Sequence, residues 1–531
     1  MNVDTTILKK LLSGMTLEEK IGQMFQVGFT GTKVTSDIKE MIEDYYVGGI
    51  IYFRRNIESL QQVSDLSNEL QILSARKRPG LPLAISTDQE GGMVNRLAGG
   101  THFPGNMVLG AARKSSLAER AGRAIAGQLK AVGINMDFAP VLDISNNPLN
   151  SVIGTRSFGG DPLLVADLGV AFIKGMQEEG IIACAKHFPG HGDTAVDSHL
   201  DLPVIECSRE RLEKVEIYPF RQAIGAGVDS IMTAHICVPA LESRKGIPAT
   251  LSYSILTDLL RGELGYAGVV ITDCLEMKAI ADNFSAAEAS VMAIEAGSDI
   301  VLVSHSLDKQ KVAIEAVAKA VKAGRIIEKR INQSVLRILR LKEKRIGLKS
   351  PPVSDYRKIN KKTEEEIAYE ISKAGVTLVK DEDNLIPINR SNDKKVLVID
   401  FPLKRLSMAE DDIEDNGLLV SFLRKEGIEV EHHTLLDGNS EMSLPKGIDL
   451  VIVCAYGAAH NTYQVKIVKK LLANGIPLIV ISSNPYDLQV FPEIPAFLTI
   501  YDYSPFNLKV ASEIITGKYK ANGTLPVTLK I

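Results

Sequence analysis

Ile182-Ala-Cys-Ala-Lys186-His187-Phe188-Pro189-Gly190-His191-Gly192-Asp193 is the stretch on which the fold turns. It opens on a short apolar run with no polar alternation, as a parallel strand covered on both faces requires. It ends in two ionisable groups and then breaks at Pro189 and Gly190, which disfavour helix and strand alike. Runs of the same kind stand at Met24–Phe29, Gly49–Phe53, Leu83–Thr87 and Met136–Pro140 on one side of it, and at Ile231–His235, Val269–Thr272 and Ile300–Ser304 on the other. Amphipathic stretches separate them, among them Ser115–Val132, Leu163–Glu179, Arg209–Ile224 and Ala286–Ala296. Eight strands alternating with helices over about 300 residues is the number that closes a (β/α)8 TIM-like barrel. An open doubly wound sheet uses the same units, and the pattern alone leaves it as the alternative.

Two more helical patterns, Lys309–Ala323 and Ile326–Lys344, precede Gly347-Leu-Lys-Ser-Pro-Pro-Val-Ser354, where adjacent prolines with Gly and Ser break the chain. A second series of strands follows at Val376–Val379, Lys395–Asp400, Asp449–Cys454, Leu478–Ser482 and Phe497–Tyr501. The expected organisation is a catalytic barrel over 1–345, a linker over 346–362 and a three-layer α/β/α sandwich domain over 363–531.

The 531 residues are 45% hydrophobic and 24% charged, an ordinary globular balance. Sixty-one Lys and Arg against 65 Asp and Glu give a net charge of −4, so bulk charge points to neither nucleic acid nor a membrane surface. No run approaches the ~18 apolar residues of a spanning helix. The start, Met1-Asn2-Val3-Asp4, has no apolar leader, which reads as cytoplasmic as the sequence stands, or as secreted or surface-associated if a leader has been removed. Five scattered cysteines without a CxxC argue against a disulfide framework and a structural zinc site. The absence of tryptophan leaves ligand stacking to Phe, Tyr or His. Oligomeric state is left open.

A barrel binds its ligand at the carboxyl ends of its strands. Those ends here carry Asp88-Gln-Glu-Gly-Gly92, Asp137 to Asp143 with Arg156 beyond, Lys186-His187, His235, Asp273 and His305. Four of the nine histidines fall between His187 and His235. Asp273 ends a buried strand, where an ionised carboxylate is costly unless it is hydrogen-bonded or has a task. It is a candidate nucleophile or stabiliser of an oxocarbenium ion, and equally an N-cap for the helix that follows. Asp197-Ser-His199 puts a carboxylate beside an imidazole, which orients the ring and tunes it as a proton shuttle. The bland reading is a solvated loop. Asp88 reads as a ligand for substrate hydroxyls or as a turn residue. Arg156 reads as a bidentate clamp or as a loop salt bridge.

Lys186-His187-Phe-Pro-Gly-His-Gly-Asp-Thr-Ala-Val-Asp197-Ser-His199 resembles the signature of glycoside hydrolase family 3, and more narrowly its β-N-acetylglucosaminidase branch of peptidoglycan recycling and cell-wall or chitin breakdown. Asp88-Gln-Glu-Gly-Gly, Phe138-Ala-Pro-Val-Leu-Asp143, Ile153-Gly-Thr-Arg156-Ser-Phe-Gly and Val270-Ile-Thr-Asp273 resemble further family blocks, in the family's order. So do the opening Met15-Thr-Leu-Glu-Glu-Lys-Ile-Gly-Gln-Met24 and the tail Gly523-Thr-Leu-Pro-Val-Thr528, so the resemblance spans nearly the whole chain. It implies a retaining exo-β-N-acetylglucosaminidase acting on muropeptides or chitooligosaccharides, with no metal and no cofactor. Asp273 would be the nucleophile that forms a covalent glycosyl-enzyme, and His199 the general acid/base with Asp197 as its partner. Asp88, Arg156, Lys186 and His187 would hold the sugar on the non-reducing side of the scissile bond. Position alone adds His235 and Met277 as further substrate contacts.

A neutral imidazole donor would not repel an incoming anion, so phosphorolysis on the same site is an alternative. A metal-dependent barrel hydrolase would want an early His-x-His, and the first strand reads Phe25-Gln-Val-Gly-Phe29. Substrate-assisted cleavage would want an adjacent Asp-Glu pair, which Asp88-Gln-Glu90 only approximates. A non-catalytic sugar-binding descendant is at odds with the intact Asp273, Asp197 and His199. The second domain reads mainly as scaffold or interface with a loop able to reach the barrel mouth, and its His432, His433 and His460 as surface residues rather than ligands.

Overall fold

A computed structural model describes residues 5–194, 202–349, 353–388, 395–412, 417–436 and 445–530. Eight parallel strands form the first sheet: β1 (Phe25–Val27), β2 (Gly49–Ile51), β3 (Ala84–Thr87), β4 (Met136–Asp137), β5 (Ile182–Phe188), β6 (Ser230–Thr233), β7 (Val269–Ile271) and β8 (Val301–Val303). They run in the order β8-β1-β2-β3-β4-β5-β6-β7. The two ends meet: Thr272 N donates to Ile300 O and Ile300 N to Val270 O, each at 3.0 Å, so the sheet is a barrel and not an open doubly wound layer. Every residue of β1, β2, β3, β5, β7 and β8 is buried, as helix-covered parallel strands must be.

Several strands are shorter than their apolar runs. The run at Met136–Pro140 is a regular strand only over Met136–Asp137; Phe138 N–H still donates to Thr87 O and Cys184 N–H to Ala139 O, each at 2.9 Å, and Pro140 has no N–H to continue the ladder. The helix expected over Arg209–Ile224 is two helices, Arg209–Lys214 and Tyr218–Gly225. Pro219 belongs in a first turn, where its missing N–H costs nothing, so it restarts the helix instead of continuing it.

Helix Glu328–Arg345 closes the barrel. The chain beyond it runs back along the barrel wall. Ser354 Oγ lies 2.9 Å from Ser64 Oγ, and its N–H donates to Asn68 Oδ1 at 2.9 Å. Helix Lys361–Gly375 then packs on helix Asn106–Ala112 of the barrel and on helix Pro505–Ile515. The approach is close: a Cβ on Gly375 would stand 2.3 Å from Val108 O.

The second sheet has six strands: β9 (Thr377–Asp381), β10 (Val396–Asp400), β11 (Val430–Thr434), β12 (Leu450–Ala455), β13 (Leu478–Ser482) and β14 (Ala496–Thr499). Their order is β9-β14-β13-β12-β10-β11, with only β9 antiparallel. Strand alternation makes it a three-layer unit. Leu450, Ile452 and Cys454 of β12 enter one core, under helices Leu418–Lys425 and Pro505–Ile515. Val451, Val453 and Ala455 enter the other, under helix Thr462–Ala473. β11 was not expected from the sequence. It is an edge strand, Val-Glu-His-His-Thr, with only Val430 buried, so it lacks the apolar run that marks its neighbours.

Candidate active site

The carboxyl ends of the barrel strands open into a cavity of about 360 Å³, within the range of small-molecule sites. Asp88, Arg156, Lys186, His187, Asp273 and Met277, all singled out from the sequence, line it together. Asp197 and His199 lie outside the described residues. The loop leading to them is described as far as Thr194.

The floor on the β3–β5 side is one charge network. Lys186 Nζ stands 2.7 Å from both Asp88 Oδ1 and Glu90 Oε1. Arg156 grips Glu90 bidentately, Nε to Oε2 at 2.9 Å and Nη2 to Oε1 at 2.7 Å. Burial alone would raise the Glu90 carboxyl; the charges of Arg156 and Lys186 outweigh it and hold the group well below the usual carboxylate range. The same pairing carries Lys186 above its ordinary value despite burial. Arg156 therefore spends its fork on Glu90, and Asp88 and Lys186 present the network to the cavity. The sequence offers Glu90 only as half of an imperfect Asp-Glu pair; its place between Arg156 and Lys186 comes from the fold. Beneath it, Asp137 accepts Gln89 N–H at 2.8 Å.

His187 is set by Asp143, whose Oδ2 lies 2.7 Å from His187 Nδ1. A carboxylate accepts, so Nδ1 carries the proton and Nε2 is left for a ligand. Asp143 also receives the backbone N–H of His191 at 2.6 Å. Asn150 Nδ2 donates to His191 O and Gly192 O at 2.9 and 3.0 Å, pinning the loop. Glycine is required there: a Cβ on Gly192 would meet Ile144 O at 1.7 Å, and Gly190 has φ +123°.

Asp273 stands two residues past the end of β7, half-buried, with Cys274 N–H on its Oδ1 at 2.7 Å. Next to it, burial pushes the Cys274 thiol up to about 12, so the residue beside Asp273 is neutral. His235 stands at the end of β6, as the sequence has it, but is not among the residues that line the cavity. It lies behind the lining, 1% exposed, with Nδ1 2.8 Å from Thr250 Oγ1 and Nε2 2.9 Å from Cys274 O. This imidazole meets the carbonyl of Cys274, the residue after Asp273, and does not line the cavity.

The β1, β2 and β8 side is a plate. Phe53 and His305 stack with centroids 5.2 Å apart, and the Arg55 guanidinium lies 4.4 Å from the Phe53 centroid. The remaining wall comes from the second domain, whose residues Arg405 and Met408–Asp411 line the cavity. Arg96 Nη1 meets Asp411 Oδ1 at 2.6 Å, Asn95 N–H donates to Asp411 Oδ2 at 2.8 Å and Asp411 N–H to Met93 O at 2.9 Å. Neither the plate nor this wall carries a motif that local sequence would reveal.

The architecture has counterparts among known proteins. Residues 16–341 match the family model described as glycosyl hydrolase family 3 N terminal domain. A solved glycoside hydrolase family 3 β-N-acetylglucosaminidase from Paenibacillus sp. str. FPU-7 superposes with a TM-score of 0.92 at 42% identity, over 97% of this chain and 99% of that one. β-Hexosaminidase A of Pseudoalteromonas piscicida is 32% identical over 94% of this chain and 92% of its own length. A β-hexosaminidase of Alkalilimnicola ehrlichii is 38% identical over 52% of this chain and 80% of its own length. With a family model over most of the barrel and a relative matched end to end, the chain belongs to glycoside hydrolase family 3.

Proposed function

We propose that this glycoside hydrolase is a retaining exo-β-N-acetylglucosaminidase that removes terminal N-acetylglucosamine from muropeptides or chitooligosaccharides. The observation that carries the reading is one cavity lined both by Asp273, just past the end of β7, and by the Asp88–Lys186–Glu90–Arg156 network. The relatives' names supply the sugar.

In this reading the network binds hydroxyls of the terminal sugar and fixes its anomeric carbon over Asp273. Asp273 attacks that carbon and the glycosidic C–O bond breaks. The leaving oxygen takes a proton from His199, which Asp197 orients, and a water then gives its proton back to His199 as it releases the sugar with retained configuration. A substrate panel with anomer analysis of the product tests sugar and stereochemistry together. A 2-deoxy-2-fluoro glycoside should label Asp273, and Asp273→Ala should lower kcat by roughly a thousandfold or more. Labelling elsewhere would remove Asp273 from this role. His199→Ala should slow substrates with poor leaving groups far more than activated aryl glycosides, because only the former need protonation. Equal losses would count against His199 as the acid.

Phosphorolysis is the second reading. Among the described residues Arg54 and Arg55, both at the cavity, have no carboxylate within salt-bridge distance; their guanidinium groups donate to the carbonyls of Ile57, Phe29 and Ser304. Such cations suit an anionic acceptor. Glycosyl phosphate formed by purified enzyme in phosphate buffer would establish it, and its absence would leave water as the acceptor.

A further inference from the structure

The second domain places one carboxyl in the cavity that no step above uses. Glu410 is 7% exposed, and it lines the cavity beside Ala409 and Asp411. Among the described residues no cation lies within salt-bridge distance of it. Arg156 lines the same cavity. Burial pushes the Glu410 carboxyl up, with the Tyr456 hydroxyl, the Leu406 N–H and the charge of Arg156 opposing the shift.

Its position is fixed from outside the barrel. Glu410 Oε2 accepts the Tyr456 hydroxyl at 2.7 Å and the backbone N–H of Leu406 at 2.7 Å. Tyr456 follows β12 and is itself clamped. Its N–H donates to Gln464 Oε1 and its carbonyl accepts from Gln464 Nε2, both at 3.0 Å. Its ring meets Tyr503 edge-on with centroids 5.9 Å apart. The Arg96–Asp411 pair locks the next residue to the barrel, with both side chains about nine-tenths buried. A loop staple would satisfy Oε2 equally well at a distance from the cavity. Here the staple is spent on holding a carboxyl at the wall of the cavity that the network also lines.

We propose that Glu410 is a substrate-binding residue supplied by the second domain, its carboxyl hydrogen-bonding a hydroxyl of the non-reducing-end sugar. This rests on the glycosidase reading above. It gives the second domain a part in reading the terminal sugar, and it assigns Tyr456 as the positioning residue that aims the carboxyl.

The test uses full-length enzyme and an aryl β-N-acetylglucosaminide together with its 3-deoxy, 4-deoxy and 6-deoxy analogues. A site built to bond a hydroxyl rejects the analogue that lacks it by roughly tenfold or more in kcat/KM. In Glu410→Ala, the penalty at one of the three positions should shrink to less than about twofold, with the other two unchanged. In Tyr456→Phe, the same position should lose part of its penalty, because the carboxyl is no longer aimed. A uniform loss across all four substrates in both variants would make Glu410 structural only and overturn the proposal. If Glu410→Ala does not fold, Tyr456→Phe decides alone by the same criterion. If the wild type fails on N-acetylglucosaminides, the proposed function falls, and the same deoxy series on whichever β-glycoside it cleaves still judges Glu410.

Discussion

At Asp143 a single buried carboxylate holds the strand-five histidines by their backbone and one ring. His187 gains an orientation from it. His191 pays in basicity: burial lowers its imidazole to about 4, with Asp143 opposing the shift. Such a group is neutral when folded and titrates near 6.5 when unfolded. Its contribution to stability is therefore complete above about pH 6.5 and is lost as pH falls from there through about 4. The loss is on the order of 3 kcal/mol. Urea midpoints of the wild type should fall across this window, and those of His191→Asn should fall less. Parallel pH profiles would remove His191 as the source.

At the scale of elements, the segment that decides the floor of the site is the hairpin of Gln89–Gly91 with Val94–Asn95. Glu90 sits on it, and its far end is tied to the second domain by Arg96 and Asp411. Removing Arg96 would leave Asp411 buried without its cation, a loss of roughly 3 kcal/mol. Arg96→Ala should lower stability in urea by about that much and raise KM, because Glu90 then loses its fixed place between Arg156 and Lys186. A variant as stable as the wild type would show that the pair is not needed to hold the hairpin. The motif Asp88-Gln-Glu-Gly-Gly was legible as chemistry, but Glu90 was not legible as the centre of the network. That role exists only where β3 and β5 bring Lys186 beside it and a 3-10 turn, Gly154–Arg156, brings in the guanidinium.

At the scale of the whole molecule, the chain ends where it began its site. After helix Pro505–Ile515 the tail returns to the barrel, where Thr524 N–H donates to Ala111 O at 3.0 Å and Gly160 N–H donates to Pro526 O at 2.9 Å. A Cβ on Gly159 would meet Pro526 O at 2.5 Å, so the tail lies flat on the loop after Arg156. Deleting residues from 523 onward removes these bonds, roughly 1 kcal/mol each. The truncated protein should unfold a few degrees lower and lose activity with it, measured by thermal scans and a chromogenic assay. Unchanged activity would show that the tail does not support the Arg156 loop.

The order of the strands, the two-unit organisation and the residues of the β3, β5 and β7 tips were written in the sequence, because a buried parallel strand needs an unbroken apolar run and its tip needs polar groups. The short edge strand β11, the break before Pro219 and the early end of β4 escaped that reading, since each is governed by a local backbone donor or by exposure. Tertiary structure alone decided that His235 stands behind Asp273, that Asp143 sets His187, and that Glu410 and Asp411 arrive from more than 300 positions along the chain beyond Glu90 and Arg96. Periodicity reports what a residue's near neighbours bury; it carries no record of which distant carboxylate will be brought against which cation when the two domains close.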